Sequence, residues 1–251
     1  MSQYAQIAES LISSLKLRVP PVAVCLTDAP PKDVPAHKGS TPAGCGFWEE
    51  GAKGAFATSV QDHENCAIGM HTHHMPIAAG TPQTNLNDSL KVFADLGYVR
   101  PEDIPNIPVL KQETRHVVYA PLAETPLPPD VVLLFVDSQQ GLIITEAAQQ
   151  VEPGAPPVLG RPACAVVPQA VNTGRAALSL GCCGARAYLN ILTDDIALWA
   201  LPGAKLAAYT ERIVALAKAN EILSQFHQLR RSDIESGLTP TVKESLARMQ
   251  A

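Results

Sequence analysis

Six cysteines punctuate this chain of 251 residues, and four of them fall into two look-alike pairs, Cys45 with Cys66 and Cys164 with Cys182. Each pair lies among small and apolar residues. The second ends in Leu180-Gly181-Cys182-Cys183-Gly184-Ala185-Arg186, a glycine-flanked turn carrying two thiols. Such turns aim backbone N–H groups at sulfur and let the chain approach a bulky ligand closely. Soft thiolates select zinc, Cu(I) or iron–sulfur clusters. Structural zinc sites draw on close Cys-x2–4-Cys knuckles, and bacterial ferredoxins on a Cys-x2-Cys-x2-Cys run; this sequence has neither. Widely spaced single cysteines suit a cluster held between two structural halves. The primary expectation is a [4Fe–4S] cluster ligated by Cys45, Cys66, Cys164 and Cys182, used for electron transfer or for binding a small substrate at an open iron.

Free cysteine is often a small buried hydrophobe. That is the preferred reading of Cys25, inside the apolar run Val22–Leu26, and it stays open for Cys164, between Ala163 and Ala165. Were Cys164 core, three protein thiolates would leave one iron open, which favours catalysis over electron carriage by analogy with open catalytic metals. Adjacent side chains diverge, so only one of Cys182 and Cys183 is expected to ligate. Cys182 is preferred, with Cys183 as the alternative or as a second reactive thiol.

The histidines offer other chemistry. His71, His73 and His74 crowd together, with His63 just upstream, in what reads as a loop closing near Pro76. They suit a metal site, an axial haem ligand or an acid/base group, against the plain alternative of a polar surface loop. His71 and His73 are therefore candidate catalytic groups, and His71, His73 and His74 alternative metal ligands. The cofactor alternatives are accordingly haem, zinc or copper, in a carrier or sensor without catalysis. His37, His116 and His227 carry no distinguishing context. Arg186, the third catalytic candidate, can hold an anionic substrate, neutralise a cluster, or simply pair with Asp194 or Asp195. Ser-His-Asp order, phosphate loop, dinucleotide fingerprint and HExxH are all absent.

The elements that must position these residues follow from periodicity and punctuation. Ser2 caps an amphipathic helix to about Lys16, broken by Pro20-Pro21. Val22–Leu26, Ala55–Val60, Val117–Tyr119 and Val131–Val136 read as strands, the last apolar on both faces as in a central strand. Cys45 opens a short helix. Helices are expected over 87–96 and 139–150, the latter with Leu142, Ile143 and Ala147 on one side. Cys164–Val167 reads as a strand, 172–177 as a short helix and 177–180 as a short strand. From Ala204 to about Leu229 the pattern is strongly helical, with Leu206, Tyr209, Ile213, Leu216, Ala217 and Ile222 as the buried stripe. Thr241–Met249 forms a last short helix.

Composition bounds the rest. With 46% hydrophobic and 17% charged residues the chain can build a substantial core, which excludes disorder as its main state. Its net charge of −5 and lack of a basic cluster beyond Arg230-Arg231 disfavour nucleic acid, whose phosphates need a basic face. No apolar run spans a bilayer and no leader is evident, so the expectation is a cytoplasmic protein with no membrane partner. Reduced thiols there favour metal or redox roles over disulfides. The expected partners are a small molecule or a redox protein, with a homo-oligomer left open.

The expected fold is mixed α/β, with central sheet flanked by helices and a long C-terminal helix. One domain spans 1–251, divisible into packed halves of about 17–136 and 155–202, with a helical region over 204–251. Each half repeats an order of cysteine, short helix, short strand and second cysteine, an internal repeat that would place two cysteines from each half near a pseudo-twofold axis. Five stretches carry a resemblance over most of the chain, to about Pro202. They are Pro21-Val22-Ala23-Val24, the helix opened by Cys45, Cys66-Ala67-Ile68-Gly69, Asp130-Val131-Val132, and Leu180 to Arg186. In their order and spacing the chain resembles the bacterial and archaeal family known as domain of unknown function 169. The resemblance implies a cytosolic protein frequent in anaerobes, with recurrent cysteines at Cys45, Cys66 and Cys182. The stretch His71 to His74 is not part of that pattern.

Overall fold

The computed structural model describes residues 2–76 and 84–249, the side chains of 84 and 85 excepted. Seven strands form one sheet: β1 (Val22–Thr27), β2 (Phe56–Ser59), β3 (His116–Pro121), β4 (Val131–Val136), β5 (Val158–Leu159), β6 (Ala177–Ser179) and β7 (Ala197–Pro202). Their spatial order is β2-β3-β1-β4-β7-β6-β5. All neighbours are antiparallel except β5 and β6. Side chains alternate between the two faces, as the strand period of two requires. On β4, Val131, Leu133 and Phe135 join one core while Val132, Leu134 and Val136 join the other. Both faces are covered, so β4 is buried at every position and carries no polar residue.

The sheet contains an internal twofold. β1 and β4 pair through Val22↔Leu133, Ala23↔Val132 and Val24↔Val131, so an axis through the Ala23·Val132 pair carries one strand onto the other. The registers on either side match. Val22↔Pro121 in the β1·β3 ladder answers Val131↔Pro202 in the β4·β7 ladder. Phe56↔Tyr119 answers Ala177↔Ala200. At the outer rims, an isolated parallel bridge between Ala36 and Ala57 answers the parallel pair of Leu159 and Leu178. The symmetry divides the sheet between β1 and β4 and the chain between β3 and β4. Val131–Val136, grouped with the first half on sequence grounds, thus leads the second.

Helices of two kinds cover the faces. On one face lie α1 (Gln3–Leu15), α5 (Ser138–Val151) and α8 (Leu206–Glu235). Ser2 caps α1 by accepting from the Ala5 N–H at 3.1 Å, and Asp137 with Gln140 forms a capping box on α5. The other face is packed by four short helices, α2 (Gly46–Gly51), α3 (Ala67–Thr72), α6 (Val166–Thr173) and α7 (Cys183–Tyr188). Helix α4 (Thr84–Asp95) lies against α3, and α9 (Val242–Met249) packs on the end of α8.

Several sequence expectations need correction. Cys164–Val167 is not a strand. Cys164 sits in a 3-10 turn, Ala163–Ala165, that runs into α6, and the helix expected over 172–177 has already ended at Gly174 with φ +61°. Val166, Val167 and Ala170 are inaccessible while Gln169, Asn172 and Thr173 form a short polar face; the apolar run Ala163–Val167 is too short for periodicity to tell strand from helix. The histidine stretch is not a loop either, because α3 runs through His71 to Thr72. Leu142 and Ile222 are about half exposed rather than buried. Ile144 and Ala148 take their place on α5, and α8 outruns the sheet beyond Ala217. Strands β5 and β7 lay outside the sequence reading.

Candidate functional site

Five of the six thiols line one cleft of about 340 Å3, those of Cys45, Cys66, Cys164, Cys182 and Cys183. The internal twofold explains the convergence. Cys66 and Cys182 are the N-caps of the equivalent helices α3 and α7. Cys45 is the N-cap of α2, and Cys164 lies in the turn that opens α6. All four therefore sit where a helix presents unpaired N–H groups, on one face of the sheet. Cys25 points to the opposite core. Its thiol lies 3.6 Å from Thr125 Oγ1, and burial raises its pKa to about 11. That is the chemistry of a packing residue.

Backbone N–H groups face several of the sulfurs. The Gly44 and Gly69 N–H groups point at Cys66 Sγ, and the Ala185 N–H donates to Cys182 Sγ at 3.5 Å. Glycine is required at 69, because a Cβ there would stand 2.8 Å from Cys66 Sγ. Thr72, fully buried, donates its hydroxyl to the Gly69 carbonyl at 3.0 Å and lies beside the Cys164 thiol. Opposing these donors are burial and mutual repulsion. Burial first, then the neighbouring Cys66 and Cys182, push the Cys45 thiol up to about 12. Burial and then Cys66 also raise Cys164. Burial thus favours the thiol form of Cys45, Cys66 and Cys164.

Beneath the cleft lie buried polar atoms that have no partner among the described residues: Tyr119 Oη, His63 Nδ1, His73 Nε2 and Trp48 Nε1. Orphaned groups of this kind are uncommon in a packed core and point to a missing ligand or water. Tyr119 stacks on Phe47 at 5.7 Å between ring centroids. Its ionisation is suppressed by burial and then by the charges of Cys66, Cys45 and Cys164, so it remains a hydrogen-bond donor. His63 donates or accepts at Thr58 Oγ1, 3.0 Å away, through Nε2. Its free Nδ1 faces Gly44, where a Cβ would lie 3.2 Å from that nitrogen and 3.9 Å from Cys66 Sγ. Burial, followed by repulsion from His73, lowers the His63 pKa to about 3, and burial lowers that of His73 to about 4. Both rings are neutral.

The other sequence candidates are placed elsewhere. His71, His73 and His74 line no part of the cleft. His73 is buried with Nδ1 on the Gly69 carbonyl at 3.0 Å, and His74 reaches the Leu110 carbonyl at 2.9 Å. Three residues so close along a helix end splay around it and do not converge. Arg186 is a clamp. It donates to the carbonyls of Leu180 (3.1 Å), Thr193 (2.7 Å) and Ile196 (3.3 Å), fastening the turn that presents Cys182. Asp194 is 4.0 Å from it, while Asp195 pairs with Arg18 instead. Tyr119, Thr72, Gly44 and Gly69 were invisible as site residues in the sequence; only the glycine of Cys66-Ala67-Ile68-Gly69 offered a signal, as a place of close approach.

Among the described residues, no three His, Cys, Asp or Glu side chains stand close enough as they are to enclose a single metal ion, and no helix is long and apolar enough to cross a membrane. No curated protein and no solved structure matches the chain. Residues 10–212, which include the whole sheet and all six cysteines, match the family described as uncharacterised ArCR, domain of unknown function 169, and the chain belongs to that family.

Proposed function

We propose that the cleft holds an iron–sulfur cluster and that the protein uses it in redox chemistry or in the binding of a small substrate. The observation that carries this reading is the convergence of thiols from both halves of the sheet on one cleft of about 340 Å3. A single zinc ion needs four ligands within about 2.3 Å of its centre. The thiols here line a wider space, which suits a polynuclear group. The residues present fit an anionic cluster in three further ways. Helix N-termini and glycine N–H groups face the sulfurs, the Tyr119 hydroxyl is a buried donor without a partner, and Pro42, Ala43, Ile68, Phe93 and Ala163 give an apolar wall.

Cys45, Cys66 and Cys182 would hold the group, with Cys164 as fourth ligand or as the thiol beside an open iron. Bound there, a [4Fe–4S] cluster supplies one-electron transfer or a Lewis-acidic iron for a small substrate. The chain's own part is to keep the thiolates paired with N–H donors, to exclude water with the apolar wall, and to place the Tyr119 hydroxyl against the negative charge. Cys183, exposed at the rim, marks the side from which a small molecule or redox partner protein approaches. Haem loses the support it had, because the histidines lie outside the cleft.

Anaerobic purification followed by iron, sulfide, zinc and copper analysis tests the reading. Near-equal iron and sulfide at about four per chain is the expected result, lost in Cys66→Ser and Cys182→Ser and kept in Cys25→Ser. Zinc or copper without sulfide would replace the cluster by a carrier or sensor role. Full metal content in the Cys66 and Cys182 variants would remove the site.

A further inference from the structure

A second cavity, of about 410 Å3, adjoins the cysteine cleft and shares Ile68, Phe93, Pro162 and Cys182 with it. That is within the range of small-molecule sites, roughly 300–1,000 Å3. Its walls are largely apolar, and two of them leave large hydrophobic side chains uncovered, Leu159 at 62% exposure and Tyr98 at 47%. The cavity also contains Arg161. Its guanidinium is held 5.6 Å over the Tyr98 ring and donates to the Tyr98 carbonyl, yet among the described residues it pairs with no carboxylate. The acid in the same wall, Asp103, is held by two bonds from Arg100, at 2.8 and 2.7 Å, and Arg161 acts on it only through its charge at longer range. The amides of Asn106 and Gln169 complete the polar lining.

We propose that this cavity binds a small organic carboxylate with an apolar body, and that Arg161 recognises its charge. A stacked, pre-positioned guanidinium fork matches a planar carboxylate. The nearby Asp103 disfavours a dianion such as phosphate, which would need further cations. Seated with its carboxylate on Arg161, the molecule extends along Phe93 and Ile68 toward Cys182. Binding itself needs no metal; only the use of the bound molecule at the cysteine cleft rests on the cluster reading.

Calorimetric titration of the full chain with hexanoate and with neutral hexan-1-ol, at constant ionic strength, tests this. Hexanoate is expected to bind saturably at one site and hexan-1-ol at least about tenfold more weakly, the scale of one charge-assisted contact. Arg161→Gln should weaken hexanoate by at least about tenfold, with hexan-1-ol and the melting temperature unchanged. Leu159→Glu, which places a carboxylate in the cavity wall, should abolish hexanoate binding. No saturable hexanoate binding, equal binding of the two probes, or unaltered affinity in Arg161→Gln would overturn the proposal. Metal content measured on the same samples separates the two readings. A metal-free chain that binds hexanoate through Arg161 keeps this site and ends the cluster reading, and a metal-loaded chain indifferent to hexanoate does the reverse.

Discussion

The two faces of the sheet are covered by helices of different build. Over the Cys25 face lie helices of 13, 14 and 30 residues, and over the other face helices of 6, 6, 8 and 6. α5 packs on β4 and β7 and the start of α8 on β7, while α1 packs on α8 and the turn Leu122–Glu124. The short ones begin in quick succession, and each beginning presents N–H groups and a cysteine. Of the five buried unpartnered atoms among the described residues, four, on Trp48, His63, His73 and Tyr119, belong with the short helices, and the fifth, Arg175 Nε, lies 3.7 Å from Glu152 at the end of α5. A long helix spends its N–H groups on itself. Breaking one cover into four multiplies free donors at the expense of local helix stability, which short helices cannot supply alone.

This contrast can be broken from either side. The largest effect is expected from Leu134→Ala on the long-helix face, where the side chain is inaccessible. Chemical denaturation should show a loss of about 2–5 kcal/mol, with metal per folded chain unchanged. Acid should act on the short-helix face, which holds the buried histidines His63 and His73. Their folded pKa values lie below that of an unfolded histidine, so stability is fully present above about pH 6.5. It is lost as pH falls toward 4 and 3, because the unfolded chain takes up protons that the folded one refuses. Denaturation series between pH 7 and 4 should show His63→Gln flattening this dependence by about 1.4 kcal/mol per pH unit. An unchanged slope would mean that the ring is solvated.

Gly69→Ala sharpens the comparison at one atom. In an ordinary helix the change gains about 1 kcal/mol, but here the new Cβ meets Cys66 Sγ at 2.8 Å. The expected outcome is a nearly unchanged melting temperature together with loss of more than half of the bound metal. The smallest effect is reserved for Tyr119→Phe. Metal content should be intact, and voltammetry should show a more negative potential, by on the order of 60 mV, about a tenfold step for one electron. Removing a donor from an anionic group has that sign.

Much of this arrangement was legible in the chain. The strands Val22–Leu26 and Val131–Val136 announced themselves as unbroken apolar runs, and the cysteine repeat anticipated the twofold that joins them. The pattern failed in short runs. Cys164–Val167 is a four-residue apolar run, too short for its period to distinguish the start of α6 from a strand. Ala197–Pro202 is alanine-rich and of weak strand propensity, yet it pairs with β4 along its whole length. At the site, the thiols could be found by type, but Tyr119 could not. A tyrosine in a strand looks like core until three-dimensional neighbours show that its hydroxyl has nowhere to go. Histidines bunched in sequence suggested a ligand set that helix geometry pulls apart.

The rims of the sheet set how copies of this chain can meet. Among the described residues, the only strand contact beyond β2 is the single bridge at Ala36, where Pro35 accepts from the Ala57 N–H and has none to offer. Beyond β6 stand just Val158 and Leu159, preceded by Pro156-Pro157. Proline and extreme shortness guard both edges, and such edges do not template another strand. Sheet-to-sheet extension, the usual route to fibrous aggregation, is closed at each end. Any self-association must then use the helical covers.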